Sequence, residues 1–499
     1  MAGLFDTLGT ATRGLAVVQS GIATTGHNIA NANTPGYTRQ KSLIEASQPY
    51  QTGAGTIGTG VEQISVERVV DRFVAERMVR ETSRQANLDT QASIYRQVES
   101  VVNSQEGGGL SDELTSFFDA LDDLSNATDP GQSAARAQLL SAAESLADSI
   151  HRSDGQLRSL QRDADRGITS VLSEVNSISA EIAELNKKIA AAEVSAPAND
   201  LRDQRDQLVL ALAEKVDINL VTDNQGMLSI RISGGLPLVD RDIAAELQSV
   251  VDPANPNAFD PTFSQVYYSG AGTFFDATSL LRGGQLGGLI EARDGILGGA
   301  IRELDGFAFT LAENVNQVHR GGLGLVDGNA HDLFADLSGQ TSVDDAARNF
   351  GLSADIDPSQ GGTLLNIAAG AGPNPVTGGP AAAPGDTAWI ERLKDLRSGS
   401  VATYLAGDVP GTPTGTTSSL VNTLGKWVGD IGQGARSAER SLAQQESVLS
   451  SIKERRDSIS GVSIDEEVAE LVKLQASFQA NAKVLSTISA MLDELFSAL

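Results

Sequence analysis

Residues able to do chemistry are few and scattered in this 499-residue chain. Its four histidines, His27, His151, His319 and His331, fall in no His-x-x-x-His or Cys/His spacing of a zinc site, so they are expected to be solvated or to cap helices. The chain has no cysteine, which removes disulfides, thiolate metal sites and a thiol nucleophile together. Gly425-Lys426 lacks the upstream glycine and the following Ser/Thr of a phosphate loop, and the glycines between 321 and 328 fit no dinucleotide fingerprint. Asp327-Gly328-Asn329-Ala330-His331-Asp332 gathers oxygen ligands in an order no EF-hand loop uses, and predicts a tight turn instead. Among 64 acidic residues no carboxylate pair is marked out for acid–base work. The expectation is a protein that is not an enzyme and has no catalytic residue, cofactor or metal.

Composition narrows the partners. A formal charge of −27 repels a phosphate backbone, and no Lys/Arg run locally reverses it, so nucleic acid is not an expected partner. No stretch approaches the ~18 consecutive apolar residues of a membrane span, and the first thirty residues lack the basic and apolar runs of a cleaved signal. The chain is therefore expected to be cytoplasmic or to leave by a route without a cleaved signal. With aromatics at 4%, the cores must be mainly aliphatic, which suits packed helices, and the length predicts two to four domains.

The elements that such a chain must position are helices, most clearly at its ends. Leu4, Leu8, Ala11, Leu15, Val18, Ile22, Thr25 and Ile29 alternate steps of four and three, a narrow helical seam. It stops at Asn31-Ala32-Asn33-Thr34-Pro35-Gly36-Tyr37, where Pro35 excludes helix geometry before it and Gly36 suits the positive φ of a type II turn. At the other end, Ser463-Ile464-Asp465-Glu466 predicts a capping box. The same rhythm then follows through Ile464, Val468, Leu471, Gln475, Phe478, Ala482, Leu485, Ser489, Leu492 and Phe496. Each seam is diluted by Ala, Thr, Ser or Gln, so an isolated helix would gain little burial against its ordering entropy, and the two ends are expected to need each other or neighbouring copies.

Between the ends, a helical pattern runs from Leu139 to Ala192 and ends at Pro197, with Asn199-Asp200 expected to cap a returning helix through Val216. Further helices are predicted over 286–318 and 420–459. Ile218, Leu220 and Thr222, the turn Asp223-Asn224-Gln225-Gly226, then Leu228, Ile230 and Ile232 predict a β-hairpin, with another strand near 265–268. Residues 361–385 are rich in Gly, Pro and Ala, which predicts a flexible surface loop. The fold class expected is mainly α with smaller β regions, elongated and multidomain.

Four stretches carry a family resemblance. They are Asn28 to Gln40 (Asn-Ile-Ala-Asn-Ala-Asn-Thr-Pro-Gly-Tyr-Thr-Arg-Gln); Ile182 to Asn186 with Ala198 to Asp206; Gly283 to Asp294; and Gly461 to Glu467 with Leu474 to Lys483. Together they resemble the bacterial flagellar axial proteins, the family of rod, hook and hook-associated subunits, and Pro-Gly-Tyr followed by Arg39-Gln40 resembles the hook-associated branch. The resemblance implies a structural subunit, secreted by type III export to the hook–filament junction, forming an adaptor ring that filament assembly requires. The partners implied are other copies of the chain, hook subunits on one side, a second junction protein on the filament side, and a cytoplasmic export chaperone at the C-terminal helix.

It also implies an inner coiled-coil domain of 1–50 with 460–499, disordered until assembly. A helical domain of 51–215, 285–320 and 416–459 would follow, with a small β region at 216–284 and a β/loop-rich variable excursion at 321–415. The assembly interface would comprise Leu4, Leu8, Leu15, Val18, Ile22, Ile29, Asn31, Asn33, Pro35, Gly36, Tyr37, Ile464, Val468, Leu471, Gln475, Phe478, Leu485, Leu492 and Phe496. Another axial subunit (hook or rod) and an enzyme domain carried on a flagellar scaffold are the alternatives.

Overall fold

The computed structural model describes residues 2–52, 55–103, 109–127, 133–194, 196–222, 227–326, 328–370, 382–383 and 385–497. The chain is mainly helical with smaller β regions. It opens with α1 (Ala2–Asn31), followed by strands β1 (Gln40–Ala46), β2 (Tyr50–Thr52), β3 (Gly55–Ile57) and β4 (Val61–Arg68). Four helices come next: α2 (Arg72–Val102), α3 (Leu110–Asn126), α4 (Ser133–Ala192) and α5 (Asn199–Lys215). Strands β5 (Ile218–Thr222), β6 (Leu228–Ile232), β7 (Pro237–Asp240) and β8 (Ile243–Ala244) form one antiparallel sheet in that order. A second sheet holds β9 (Glu246–Val250), β10 (Gln265–Gly270) and β11 (Thr273–Asp276), with β10 central. The remainder is α6 (Gly284–Glu291), a π-helical turn at Ala292–Leu297, α7 (Gly298–His319), α8 (Ala346–Asn349), α9 (Ala388–Asp395), α10 (Leu420–Ser460) and α11 (Ile464–Ser497).

α4 is the spine. Its 60 residues extend about 90 Å at 1.5 Å per residue, and neither Gly155 nor Gly167 interrupts it. One half, through Leu139, Leu146, Ile150 and Leu157, enters a core shared with α3, α7 and the start of α10. The other half, through Ile168, Val175 and Ile182, packs with α5 and the two sheets. α10 lies along α2 through Ala92, Ala438 and Leu442, then Met78, Leu449 and Ile452. Among the described residues, none from α1 or α11 belongs to any of these cores.

Several sequence expectations change here. The flexible loop expected at 361–385 runs inward where it is described: Ile367, Ala368 and Ala369 are buried, and the buried Arg136 guanidinium donates to the Ile367 carbonyl at 2.7 Å. Residues 371–381 and 384 lie outside the described residues. Leu333, Phe334, Val343, Phe350 and Ile356 join the α7 core, so single apolar residues without periodicity anchor this region. Among the described residues of 321–415 there are isolated bridges, such as Phe334–Leu352, and no strand. The helix expected over 286–318 contains the π-turn.

His319, expected at the surface or a cap, is fully buried. Its Nδ1 donates to the His331 carbonyl at 2.6 Å and its Nε2 accepts the Ala368 amide at 2.9 Å. That pair of bonds fixes one neutral tautomer, and burial lowers the imidazole pKa to about 4. Asp327, first in the predicted tight turn, lies outside the described residues, and Asp332 at the end of that stretch pairs with Arg320 at 2.5 Å.

Candidate assembly interface

The end of α1 and the loop after it form the centre of the site. The Tyr37 amide donates to the Thr34 carbonyl at 3.2 Å, closing a turn with Pro35 at its second position and Gly36 at φ +77° in its third, as a type II turn requires. A Cβ on Gly36 would also lie 2.1 Å from the Gln207 amide nitrogen on α5, so the Gln207 side chain would have to give up its present position. The loop is thereby seated on α5, and Gln207 donates to the Pro35 carbonyl.

From this turn the chain enters β1 as one strand of an unpredicted hairpin, paired antiparallel with β4 and bulged between Leu43 and Ile44. Asn28, on the last turns of α1, is 1% exposed and uses its whole amide. Its Nδ2 donates to the Gln40 carbonyl at 2.9 Å and to Glu467 Oε2 at 3.0 Å. Its Oδ1 accepts the Gln40 amide at 3.0 Å and the Tyr37 hydroxyl at 2.8 Å. Tyr37 also meets His27 Nδ1 at 3.1 Å, and burial, with Asp200, Asp203 and Glu467 nearby, pushes its hydroxyl pKa well above the usual range. On the facing helix, Glu467 is 2% exposed and accepts from Arg39 Nε at 2.7 Å.

The same loop is held from α5. Asp203 accepts the Thr38 amide at 3.0 Å, the Thr38 hydroxyl at 2.6 Å and Arg68 at 2.6 Å. Arg68 also reaches Asp206 at 2.8 Å, and its guanidinium pKa is raised by those two carboxylates against the opposing pull of burial. Asn199 and Asp200 do not cap α5 as expected. The side chain of Asn199 donates to Gln40 Oε1 and the Val66 carbonyl, while Asp200 accepts from Gln40 Nε2 at 2.9 Å. Strand atoms outbid the cap because Gln40 presents both donor and acceptor to them. The capping box at 463–466 is half formed because an ion pair competes with it: Ser463 Oγ meets the Glu466 amide at 3.5 Å, but the Glu466 carboxylate turns to Arg39 at 3.1 Å.

α1 and α11 pair outward from this joint in opposite directions. Asn28 meets Glu467, Gly21 faces Leu474 and Gly14 faces Asn481, each step seven residues on both helices. A Cβ on Gly21 would lie 3.1 Å from Leu474 Cδ2, and one on Gly14 3.3 Å from Asn481 Oδ1, so small residues bring the helices close. Ala11, Val18 and Thr25 are buried along this face. Leu8, Leu15, Ile22 and Ile29 are only half-buried, so the large apolar row of the predicted seam flanks the intrachain pairing face.

On α11, Leu471, Phe478, Leu485 and Leu492 are half-buried, whereas Ile464, Val468 and Gln475 are exposed. Of the other predicted interface residues, Val18 is buried, Asn31, Gly36 and Tyr37 are half-buried, and Asn33 and Pro35 are exposed. The side chains of Leu4 and Phe496 lie outside the described residues.

Three of the four resembling stretches therefore meet at one polar joint. The remaining stretch, Gly283 to Asp294, works elsewhere: Arg293, buried within the π-turn, donates to Asp165 at 2.7 Å, to Asp294 at 2.8 Å and to the Ser264 carbonyl at 2.6 Å, tying α4 to the second sheet.

Comparison with known proteins matches this layout. Residues 95–334 match the family described as "Flagellar hook-associated protein FlgK helical domain", 8–38 match "Flagella basal body rod protein", and 455–498 match "Flagellar basal body rod FlgEFG protein C-terminal". All three are families of flagellar proteins. The chain is 27% identical to flagellar hook-associated protein 1 of Bacillus subtilis (strain 168), over 100% of this chain and 99% of that protein. To the proteins of that name from Escherichia coli (strain K12) and Salmonella typhimurium it is 26% and 27% identical, over 98% of each chain in both cases. The solved structure of the flagellar hook junction protein FlgK from Burkholderia pseudomallei shares the fold, with a TM-score of 0.59 at 17% identity, covering 77% of this chain and 100% of that one. The two terminal matches hold most of α1 and all of α11 and, in Asn28, Tyr37 and Glu467, the centre of the joint.

Arg68 and the two-sided role of Asp203 were missed by sequence reasoning. Asp203 and Asp206, three apart on one face of α5, were the available signal; Arg68, at the end of an unrecognised strand, offered none.

Proposed function

We propose that the chain is a structural subunit of the bacterial flagellum that joins hook to filament at their junction and is required for filament assembly. The observation that carries this is the terminal helix pair, which lies outside every core yet is fixed to the body by a joint built from 28–40, 199–206 and 466–467. Copies assemble as a ring, with hook subunits on one side and a second junction protein on the other. The half-buried row Leu8, Leu15, Ile22, Ile29 and the exposed Ile464 and Val468 meet neighbouring copies, with the remainder of the predicted interface set around them.

The division of labour follows the same lines. Residues 1–50 with 460–499 form the inner layer, the helical body the next, and the sheets with 321–415 the outer surface. Export precedes assembly, a chaperone covers the C-terminal helix, and both ends order on assembly because their narrow seams need partners. The relatives are flagellar structural proteins, and this chain acts as scaffold rather than enzyme. Among the described residues no group of three or more His, Asp or Glu is placed to hold a metal ion, and no helix is long and apolar enough to cross a membrane. Deleting the gene is expected to release filaments from hooks; filaments remaining firmly attached would refute the junction role.

A further inference from the structure

The seam between α1 and α11 says little about its own register. Gly14 and Gly21 are interchangeable in size, and Leu471, Phe478, Leu485 and Leu492 repeat every seven residues, so a slip of one heptad presents nearly the same surfaces. Sliding one way sets Gly21 against Asn481, much as Gly14 stands now. Sliding the other way sets Gly14 against Leu474, much as Gly21 stands now.

The layer at the joint differs most, since Leu474 and Asn481 each face only a glycine. Asn28 and Glu467, 1% and 2% exposed, are the buried polar pair, and each is satisfied only in the observed register. There Asn28 makes four bonds and Glu467 takes Asn28 on one oxygen and Arg39 on the other. A slip buries Asn28 against Leu474, or leaves Glu467 facing Gly21, stranding polar groups without partners. A single buried polar position that fixes coiled-coil register at some expense in stability is a known device.

We infer that Asn28 and Glu467 are the register key of the terminal coiled coil, the specificity-determining pair that selects one alignment from several the apolar seam would accept. The key lies where both helices leave the body, so pairing starts at the joint in the correct alignment and extends outward toward Ala11. This rests on the terminal helices pairing in the flagellum, as proposed above.

Because the chain has no cysteine, disulfide trapping reads the register directly. Full-length chain carrying G14C with N481C reports the observed alignment; G21C with N481C reports alignment shifted by one heptad. Both are oxidised in flagellated cells, with and without N28L/E467L. The unmodified key should give the 14–481 cross-link only. The apolar key should raise the 21–481 cross-link at least tenfold, equivalent to about 1.4 kcal/mol of lost register preference. E467Q, which retains a hydrogen-bonding side chain, should keep the 14–481 pattern.

Persistence of the 14–481 pattern alone in N28L/E467L would overturn the inference, as would loss of both cross-links, which would make the pair a general clasp rather than a selector. A chain correctly placed at the junction with an unchanged cross-link pattern defeats the register key alone. A chain placed elsewhere defeats the junction role.

Discussion

Replacing Asp203 by alanine should open the joint while leaving the body folded. Asp203 is 5% exposed and serves three donors, the Thr38 amide, the Thr38 hydroxyl and Arg68. Removing one partner of a buried ion pair costs about 3–5 kcal/mol, because the other charge stays buried. Here Arg68 retains Asp206 at 2.8 Å, which places the cost toward the lower end, about 3 kcal/mol. At 1.4 kcal/mol per decade that is a joint opening on the order of a hundredfold more often.

Hydrogen exchange on the full chain in assembled flagella, where the ends are ordered, reads this at three reporters: the Gln40 amide bonded to Asn28, the Arg39 amide bonded to the Ser460 carbonyl and the Val69 amide bonded to the Arg39 carbonyl. All three should exchange on the order of a hundredfold faster, while amides in the middle of α7 stay as in wild type, since Asp203 lies in none of the cores. Asp203→Asn, which keeps an acceptor for Thr38 but loses the charge, should fall between. Unchanged exchange at the three reporters would refute the joint as a cooperative unit, and equal loss in α7 would show that Asp203 supports the whole fold.

Other perturbations separate the remaining parts. Tyr37→Phe removes a hydroxyl that donates to Asn28 and should cost about 1 kcal/mol of joint stability, seen as a modest rise in the same exchange rates. Gly21→Ile crowds Leu474, 3.1 Å from the new Cβ, and should weaken helix pairing by about 1–3 kcal/mol, scored as filaments shed under shear. Leu15→Asp, on the half-buried flank, should leave the thermal stability of the free chain within about 1 kcal/mol but abolish incorporation at hook tips. Limited proteolysis of dilute free chain should remove residues near both ends first; resistant ends would contradict ordering on assembly.

pH offers a further check, because two buried groups act in opposite senses. His319 has its pKa lowered to about 4 by burial, so its contribution is present above the ordinary value near 6.5 and is lost as pH falls toward 4. Asp305, raised to about 7 by burial, contributes stability below its unfolded value near 4 that is lost as pH rises through 7. Between about pH 4 and 6.5 the two slopes offset. Asp305→Asn should expose the His319 slope, a loss of about 1.4 kcal/mol per unit of acidification, and His319→Gln the opposite slope. Denaturant melts at pH 5 and 6 measure both; identical slopes in the two variants would refute the assignment.

Much of the helical framework was legible because long amphipathic segments carry their own period: α4, α5, α10 and α11 lie where Leu139–Ala192, Leu201–Val216, 420–459 and Ile464–Phe496 predict them. The β1–β4 hairpin was not. β1 is exposed on both faces over most of its length and is bulged between Leu43 and Ile44, while β4 half-buries Gln63, Ser65 and Arg68 and exposes Ile64, so no period-two pattern of apolar residues survives in the sequence. The seam of α1 was half legible: periodicity detects Ala11, Val18 and Thr25, which are buried along the pairing face, and Leu8, Leu15, Ile22 and Ile29, which flank it, whereas the close approach rests on Gly14, Gly21 and Asn28, which a hydrophobicity count ignores. The joint itself was visible only as the separate stretches that carry the family resemblance, since its bonds link residues as far as 439 positions apart, and spacing along the chain carries no trace of them.

The most direct test of the junction account is a map of the intact hook–filament junction at a resolution that traces helices. It should place this chain between hook and filament as a ring, with α1 and α11 paired innermost and Asn28 opposite Glu467 at the root of each pair. Density for the chain away from the junction, or terminal helices that pair only with other subunits and leave Asn28 and Glu467 apart, would contradict it.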